Sequence, residues 1–332
     1  MHTRHLLPLL LLSGSSVFAS TQSTVAFSLD NDGIYGVDQD YTNGLFLNYT
    51  SAQITPPSWL SMLSLSDAEH SSIDKWQLTL AHKIWTPSDI EIDAPSANDR
   101  PYAGYFHGEL NYLSLTTERV QKFNLTLGMT GKHSLADKAQ KLVHGITGSD
   151  DPNGWDYQIE SKVAGSLGYL NHQNLKRGQM TLNSEWEVSN VSEINAGNFR
   201  SDVATGVMFR WGTDLDHNMG AANISNEHPF QAGMIGNSKH AWFVFSGIEA
   251  RYRFNDMTIE GHRPAIENNP AISDPTVYDV DLEHLQASAV LGVAWYNQHF
   301  GASFTTTIKT ADYKQATTDI YGTGGLSLFA FF

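Results

Sequence analysis

Apolar and polar residues alternate along most of this chain, the period-two pattern that is typical of β-strands with one apolar face. The clearest case is residues 123–129, in which Leu125, Leu127 and Met129 share one face and polar or small residues share the other. Bacterial membrane barrels have an even number of strands, and about twelve segments of this chain carry the pattern. They fall at 24–30, 43–53, 74–85, 103–116, 120–131, 157–171, 177–192, 199–213, 240–254, 282–297, 300–311 and 323–332. The pattern therefore predicts an all-β protein, an antiparallel β-barrel.

The connections between these segments differ in length. Short turns are expected at 174–178 and 297–301. Longer polar stretches rich in Pro and Asn fall at 54–73, 86–101, 214–239 and 256–281. This alternation predicts turns on one rim of the barrel and loops on the other, as in outer-membrane barrels.

Both ends of the chain agree with a barrel that is exported to the bacterial outer membrane. Arg4, an apolar run from Leu6 to Leu12 and small residues up to Ala19 have the order of a secretory signal peptide. Residues 326–332 alternate and stop on Phe332, as a final lipid-facing strand does, although an edge strand of a secreted protein would look similar. We therefore expect a signal peptide at 1–19 and one barrel domain at 20–332.

Composition narrows the class of protein. The chain has no cysteine, so no disulfide framework holds it, and past residue 20 no apolar run approaches the length of a membrane helix. It nevertheless holds 8 Trp, 13 Tyr and 16 Phe, which a transmembrane β-barrel can use because only alternate residues face lipid. The net charge of −15 argues against nucleic acid as a partner.

One segment breaks the strand pattern. Residues 135–146 are helix formers that Ser134 could cap and Gly148 could end, and they predict a short helix. Its apolar stripe would comprise Leu135, Ala139, Leu142, Val143 and Ile146. The helix also carries His144, with Asp150 just past its end. A histidine beside a carboxylate can act as a general base, but a structural histidine is the commoner case.

A second cluster of polar residues follows the first strand. Asp30, Asn31 and Asp32 precede Gly33, and more oxygen-bearing side chains follow at Asp38, Asp40, Tyr41, Thr42 and Asn43. Hard oxygen donors at this density can hold Ca²⁺, whereas an Asx-rich turn is the alternative. Residues 98–104 and 151–160 by themselves predict turns before strands. The chain has no Gly-x-Ser-x-Gly, no His-Glu-x-x-His and no Gly-rich phosphate loop.

Taken in order, these clusters resemble one family, the outer-membrane lipid A 3′-O-deacylases (the LpxR-like family). The similarity runs over most of the mature chain and is densest between residues 24 and 160. The matching pieces are Asn31-Asp32, Asp40-Tyr41-Thr42-x-Gly44, Ile84-Trp85-Thr86-Pro87, Asp99-Arg100-Pro101-Tyr102-Ala103-Gly104, His144-x-Ile146-x-Gly148-x-Asp150 and Gly154-Trp155-Asp156-x-Gln158.

The resemblance implies a twelve-stranded barrel with its active site inside the wall near the outer rim. It implies Ca²⁺-dependent hydrolysis of the 3′-linked acyl ester of lipid A, with His144 as the base that activates water. The catalytic positions carried over are Asn31, Asp32, Thr42, His144 and Asp150, and those offered to the metal are Asn31, Asp32 and Asp150. The implied partners are lipopolysaccharide and outer-membrane lipids, and the implied state is a monomer.

The chain departs from the family pattern at two points. Asp150 stands where a family member has Glu, and the loop from 88 to 97 holds no lysine, although a lysine on this loop is implicated in that member. Two alternatives therefore stay open: another outer-membrane lipid esterase, such as a phospholipase, and a non-enzymatic barrel that acts as a pore or a surface platform. A soluble β-sandwich enzyme fits the aromatic ending least well.

Overall fold

Twelve antiparallel strands close into one barrel in which each strand pairs with its neighbours along the chain. The structure, a computed structural model, describes residues 22–35, 39–67 and 71–332, so the expected signal peptide at 1–19 lies outside the described residues. The strands are β1 Thr24–Asn31, β2 Asp40–Thr50, β3 Ile73–Thr86, β4 Ala103–Leu115, β5 Arg119–Thr130, β6 Val163–Gln179, β7 Glu185–Gly197, β8 Arg200–Gly212, β9 Ala241–Asp256, β10 Leu285–Tyr296, β11 Phe300–Thr310 and β12 Ile320–Phe331. This architecture confirms the predicted all-β barrel and its strand number.

Helices occur only as short segments in the described connections. They are α1 Ala136–Thr147, α2 Met257–Glu260 and α3 Pro264–Glu267. None of the helices in the described ranges is both long enough and apolar enough to cross a membrane.

The barrel closes where the first strand meets the last. β1 and β12 pair antiparallel from Thr24 opposite Phe331 to Asn31 opposite Gly324. The hydroxyls of Ser28 and Ser327, which face each other across this seam, lie 2.7 Å apart. Closure leaves no strand edge with unpaired N–H and C=O groups, which lipid could not satisfy.

Two strand boundaries differ from those predicted. The turn expected at 174–178 is absent, because β6 continues through it to Gln179 with a bulge between Asn174 and Lys176. Polar side chains there bond across the sheet instead of turning the chain: Arg177 Nε donates to Glu187 Oε2 at 2.9 Å. The strand expected at 157–171 starts too early, since Gly154–Tyr157 form a 3₁₀ turn and β6 begins at Val163.

The two faces of the wall have opposite character. Outward-facing side chains such as Leu47, Leu127 and Ile248 are at least half exposed. The inward face is lined by buried charges that pair with one another: Arg251 lies 2.8 Å from a carboxylate oxygen of Glu193 and 2.6 Å from one of Asp202. Such a wall suits lipid outside and a polar, filled lumen inside.

The long connections do not all lie on one rim, which makes that prediction wrong. Counting strands from β1, the connections 87–102, 131–162 and 257–284 share one rim, which we call the active rim. The connections 51–72 and 213–240 lie on the opposite rim, with both ends of the described chain. The length of a connection therefore does not show on which rim it lies, because a long connection can also fold back into the barrel.

The connection 213–240 does fold back and lies in the lumen as a plug, leaving a cavity of about 150 Å³ between itself and the wall. Its residues Ala221, Ile224 and Phe230 are at most 1% exposed. Lys75 of the wall donates from Nζ to the Ile235 carbonyl at 2.8 Å. The apolar side chains of the plug pack on one another. Its buried backbone groups need hydrogen-bond partners, and the polar wall supplies some of them.

A buried carboxylate of the plug pairs with two basic side chains of the wall near the active rim. Glu227 accepts from Lys83 Nζ at 2.8 Å and from Arg200 Nη1 at 2.6 Å. Burial raises the pKa of this carboxyl, but the charges of Arg200 and Lys83 outweigh burial and hold its pKa well below the ordinary value. Breaking one member of such a buried set would leave an uncompensated charge, which is strongly destabilising.

We expect the native protein to show no steady conductance in planar bilayers, because the plug occupies the lumen. Excision of residues 219–235 should open a conducting path, since the rejoined ends are close: Gly236 N–H donates to the His217 carbonyl at 2.7 Å. Both proteins should still migrate differently in SDS before and after boiling, because the charges of Lys83 and Arg200, which lose Glu227, then face the water that enters the open lumen. A steady current from the native protein would contradict the plugged lumen.

Candidate active site on the outer face of the wall

A cavity of about 650 Å³ lies between α1 and the ends of β1, β2 and β3 on the active rim. All five residues predicted from sequence line it: Asn31, Asp32, Thr42, His144 and Asp150. The other lining residues are Gly33, Asn43, Leu45, His82, Ile84, Ser88, Asp89, Ile90, Glu91, Ala139, Gln140, Val143, Gly148 and Ser149. Residues distant in sequence therefore meet as the resemblance implied.

The cavity opens on the outer face of the wall rather than inside it. Side chains alternate along β1, so that Asp30 points to the lumen, where it accepts from the backbone of His228, and Asn31 points outward. On β3, outward-facing Leu80 is followed two residues later by His82, which lines the cavity. The expectation of a site inside the wall is corrected to a site on its lipid-facing side.

The junction between β1 and β2 is held by an Asx-type turn. Asn31 accepts from the Gly33 N–H at 2.8 Å through Oδ1 and donates to the Thr42 carbonyl at 3.1 Å through Nδ2. The carboxylate of Asp32, which is buried, accepts from the Gln39 N–H at 2.7 Å. Thr42 sits at a bulge in β2 and its hydroxyl lies 2.6 Å from that of Thr86. These bonds fix three oxygen-bearing side chains at one edge of the cavity.

Other members of the acidic cluster have structural partners elsewhere. Asp40 forms ion pairs with Arg100 and with Lys309 inside the barrel. Tyr41 donates from its hydroxyl to Asp30 at 3.1 Å, also on the lumen side. Asp38 lies outside the described residues. Of the oxygen donors after Asp32 that the structure describes, Thr42 and Asn43 line the cavity and Asp40 and Tyr41 do not.

Helix α1 is present as predicted, but it packs on another face. Leu135 and Leu142 of the expected apolar stripe are 53% and 66% exposed. The buried face runs through Ala136, Gln140 and His144, one residue per turn. Leu135 and Leu142 therefore point away from the barrel, whereas Ala139 and Val143 of the stripe line the cavity beside the polar Gln140 and His144.

The two ends of α1 differ in how they are capped. Leu135, with φ 61°, precedes the first helical residue, and the Ser134 hydroxyl accepts from the Ala136 N–H at a long 3.4 Å. Gly148 ends the helix in the left-handed conformation, φ 75°, and its N–H donates to the His144 carbonyl at 2.8 Å. The glycine is needed because this conformation strains residues that have a Cβ.

The imidazole of His144 is oriented by a backbone group. Its Nδ1 lies 2.5 Å from the carbonyl oxygen of Asp150, and the residue as a whole is 6% exposed. A carbonyl can only accept, so Nδ1 carries the proton, and in the neutral ring the lone pair is on Nε2. The sequence predicted a carboxylate for this role. Since the backbone orients the ring, the change from Glu to Asp at position 150 leaves this contact available.

The motif from Asp99 to Gly104 supports α1 without lining the cavity. Gly104 lies under the start of α1, where a Cβ would collide with the Ser134 hydroxyl and with the Cβ of Ala136. The rings of Tyr102 and Trp155 pack with centroids 4.7 Å apart. Gly104 and Tyr102 of this motif therefore help to seat the helix.

Trp155 reaches α1 directly. Its indole Nε1 donates to Oε1 of Gln140 at 2.8 Å, and both side chains are buried. Just before α1 begins, the Ser134 carbonyl accepts from Nε2 of His82 at 3.0 Å. Two hydrogen bonds from different elements thus set the position of the helix that carries His144.

The loop after β3 is tied down by a buried carboxylate. Asp99 accepts from the Ser88 N–H at 2.9 Å and from the Ser88 hydroxyl at 2.6 Å. Its other oxygen accepts from the Tyr313 hydroxyl at 2.9 Å. The loop then presents Asp89 and Glu91 to the cavity, at the place where the sequence lacked a lysine.

The cavity is acidic. Its lining includes the carboxylates of Asp32, Asp89, Glu91 and Asp150, and the lining residues that the structure describes include no Lys or Arg. Carboxylate, amide and hydroxyl oxygens are the donors that Ca²⁺ prefers, so the chemistry of this set fits a hard divalent cation. Over the described ranges, the only three His or acidic ligand atoms within 4.8 Å of one another belong to Asp214, Asp216 and His217, on the opposite rim. A cation in the cavity would therefore also need amide and hydroxyl oxygens.

The cavity residues that sequence reasoning missed include His82, Asp89, Glu91 and Gln140. Gln140 had a usable signal, because it precedes His144 by one helical turn and must share its face. The other three carry no such signal, since their place depends on how the loop and the strand meet α1.

Comparisons with known proteins agree with the fold and extend it. The sequence profile of a family described as "LpxR: Outer membrane protein LpxR" matches residues 6–332. The structure is similar to that of LpxR from Salmonella typhimurium, with a TM-score of 0.73 and 19% identity over 93% of this chain and 100% of that one. The β domain of the Bordetella autotransporter BrkA is less similar, with a TM-score of 0.39 and 7% identity over 95% and 99% of the two chains. No curated protein sequence matches this chain.

We expect Gly104→Val to displace α1 while the barrel still forms, because the new side chain occupies the space of Ser134 and Ala136. Trypsin should then cut more readily at Lys138 and Lys141, which are exposed on α1. The matched control is Gly108→Val on the same strand, where the nearest atom to a new Cβ is 3.8 Å away. Equal digestion of both variants and the parent would show that Gly104 does not seat the helix.

Proposed function

Because the chain belongs to the LpxR family of outer membrane proteins, we propose that this outer-membrane barrel is an esterase that removes the 3′-linked acyl chain of lipid A. The observation that carries the proposal is His144, whose Nδ1 is bonded to the Asp150 carbonyl in a cavity that also holds Asn31, Asp32 and Thr42. A neutral imidazole that is protonated at Nδ1 and lies in the lining of a cavity has the form of a general base.

The position of the cavity supports a lipid as the substrate. Outward-facing Leu47 and Leu80, which are about half exposed, are paired on β2 and β3. The next outward pair toward the active rim is Leu45 and His82, and both line the cavity. An acyl chain that lies along this apolar strip would bring its ester to the cavity without leaving the bilayer.

Hydrolysis follows from the chemistry of these groups. Nε2 of His144 takes a proton from water as the water oxygen bonds to the ester carbonyl carbon. The bond from that carbon to the sugar oxygen then breaks, and the proton passes from His144 to the leaving oxygen. The products are a free fatty acid and a 3′-hydroxylated lipid A. The Asp150 carbonyl stabilises the imidazolium that forms between these steps, since it accepts from Nδ1.

The oxygen donors of Asn31, Asp32 and Asp150 would hold a Ca²⁺ ion, whose presence in an acidic cavity also reduces repulsion of an anionic lipid. When bound, such an ion polarises an ester carbonyl. Asp32 is buried and accepts from the Gln39 backbone, which holds its carboxylate in a fixed position.

The plug argues against the alternative of a pore, because the lumen is filled in the described part of the chain. A phospholipase remains distinguishable by its product. Lipid A shortened by its 3′-linked chain and lysophospholipid differ in mass, so one spectrum of membrane lipids separates the two esterases.

We expect His144→Gln to lower lipid A deacylation by about a hundredfold or more, because Gln cannot take a proton from water. The measurement is mass spectrometry of lipid A from cells with the parent or the variant barrel. The change of SDS mobility on boiling should match that of the parent, since α1 lies outside the strands. A variant that still deacylates lipid A at nearly the parental rate would place the base elsewhere.

We expect chelation of divalent ions to stop hydrolysis and Ca²⁺ to restore it, whereas Mg²⁺ should restore it poorly because it is reluctant to lose water. Asp32→Asn and Asp150→Asn should each raise the Ca²⁺ concentration needed for half the maximal rate. Asp150→Asn keeps the carbonyl that orients His144, so saturating Ca²⁺ should recover most of its rate. Undiminished hydrolysis in excess chelator would rule out the metal.

A further inference from the structure

The side chain of Gln140 is held in one orientation. Its Oε1 accepts from the indole Nε1 of Trp155 at 2.8 Å. An indole N–H can only donate, so the oxygen of the amide must face Trp155 and the amide nitrogen must face away from it. The assignment of Oε1 and Nε2 is thus decided by chemistry.

The nitrogen of this amide has no hydrogen-bond partner among the described residues, although it is buried. The whole side chain is only 3% exposed. Buried donors are nearly always paired, since an unpaired one loses its water without replacement. An unpaired donor in the lining of a cavity therefore indicates a partner that the protein alone does not supply.

Gln140 and His144 share one face of α1. They are four residues apart, so their Cβ atoms are neighbours at about 5–6 Å, and both line the same cavity. Consider an ester bound in the cavity so that water activated by His144 attacks its carbonyl carbon. The carbonyl oxygen of that ester would then be within reach of the Gln140 side chain, one helical turn away. The amide N–H is a neutral donor. It therefore does not form ion pairs with the carboxylates of the cavity, as a lysine in its place would.

We propose that Gln140 is a catalytic residue that donates from Nε2 to the carbonyl oxygen of the scissile ester. This inference rests on the proposed esterase function. The bond strengthens as negative charge develops on that oxygen when water adds to the carbonyl carbon, and it weakens again when the carbonyl re-forms. No atom is transferred to or from Gln140.

Trp155 is then a positioning residue. Its N–H holds Oε1, which keeps Nε2 turned to the substrate before the substrate arrives. The indole is itself 3% exposed and packed against the ring of Tyr102, so it is not free to follow a rotation of the amide. A donor fixed in advance costs no reorganisation during the reaction.

The test compares Gln140→Met, Trp155→Phe and the double variant in lipid A and detergent micelles, with kcat and KM measured separately. Gln140→Met keeps the length of the side chain without a donor, and we expect kcat to fall by about a hundredfold or more with KM nearly unchanged. Trp155→Phe keeps a ring against Tyr102 and should lower kcat less. Their effects should not add, because without Gln140 the indole has nothing to orient.

Two controls separate chemistry from packing. Gln286→Met removes another buried glutamine amide, which lies on β10 outside the cavity lining, and should leave kcat as in the parent. Trypsin cleavage at Lys138 and Lys141 reports whether α1 stays seated. A loss of kcat in Gln140→Met with parental trypsin resistance supports the donor. A near-parental kcat, or a loss matched by rapid cleavage of α1, overturns it.

The role of Gln140 can be tested whichever lipid ester is the substrate. If the parent cleaves phospholipid and not lipid A, the proposed function is wrong, but the same ratios are measured on the phospholipid ester and decide the role of Gln140. If the parent cleaves neither ester with Ca²⁺ present, both proposals are overturned.

Discussion

The closure of the barrel is the constraint on which the rest of the structure depends. Lipid offers no partner to backbone N–H and C=O groups, so β1 must pair with β12 as well as with β2. Once the wall is closed, neighbouring residues must face opposite sides. Asp30 therefore faces the lumen and Asn31 faces outward, and a polar site can form on the lipid-facing side only where outward positions near the active rim are polar.

The filled lumen and the outer site meet at that part of the wall. Inside, the plug backbone at His228 donates to Asp30 at 2.7 Å, and Tyr41 donates to the same carboxylate. Outside, Asn31 donates to the Thr42 carbonyl. Adjacent residues of β1 and β2 are thus hydrogen-bonded on both faces. This double support keeps the donors at the edge of the cavity in place without any contribution from lipid.

Helix α1 is seated by polar and aromatic contacts rather than by its apolar stripe. Trp155 donates a hydrogen bond to Gln140 of the helix, and His82 donates one to the Ser134 carbonyl just before it. Gly104 allows the helix to approach β4. The stripe that periodicity singled out lies exposed at Leu135 and Leu142 because the surroundings of this helix include the membrane side. Amphipathic periodicity locates a helix and its axis, but not which face meets protein when lipid is also a neighbour.

The sequence by itself determined the strand number and the helix, which follow from local periodicity. Its resemblance to a family singled out Asn31, Asp32, Thr42, His144 and Asp150, and the structure brings them to one cavity. Only the tertiary structure decided that the Asp150 carbonyl, not its carboxylate, orients His144. It also decided that the loop 213–240 fills the lumen and that Gln140 carries an unpaired donor. The physical reason is the same in each case. Local patterns are set by neighbours along the chain, whereas backbone contacts, loop direction and the pairing of buried groups are set by neighbours across the closed wall.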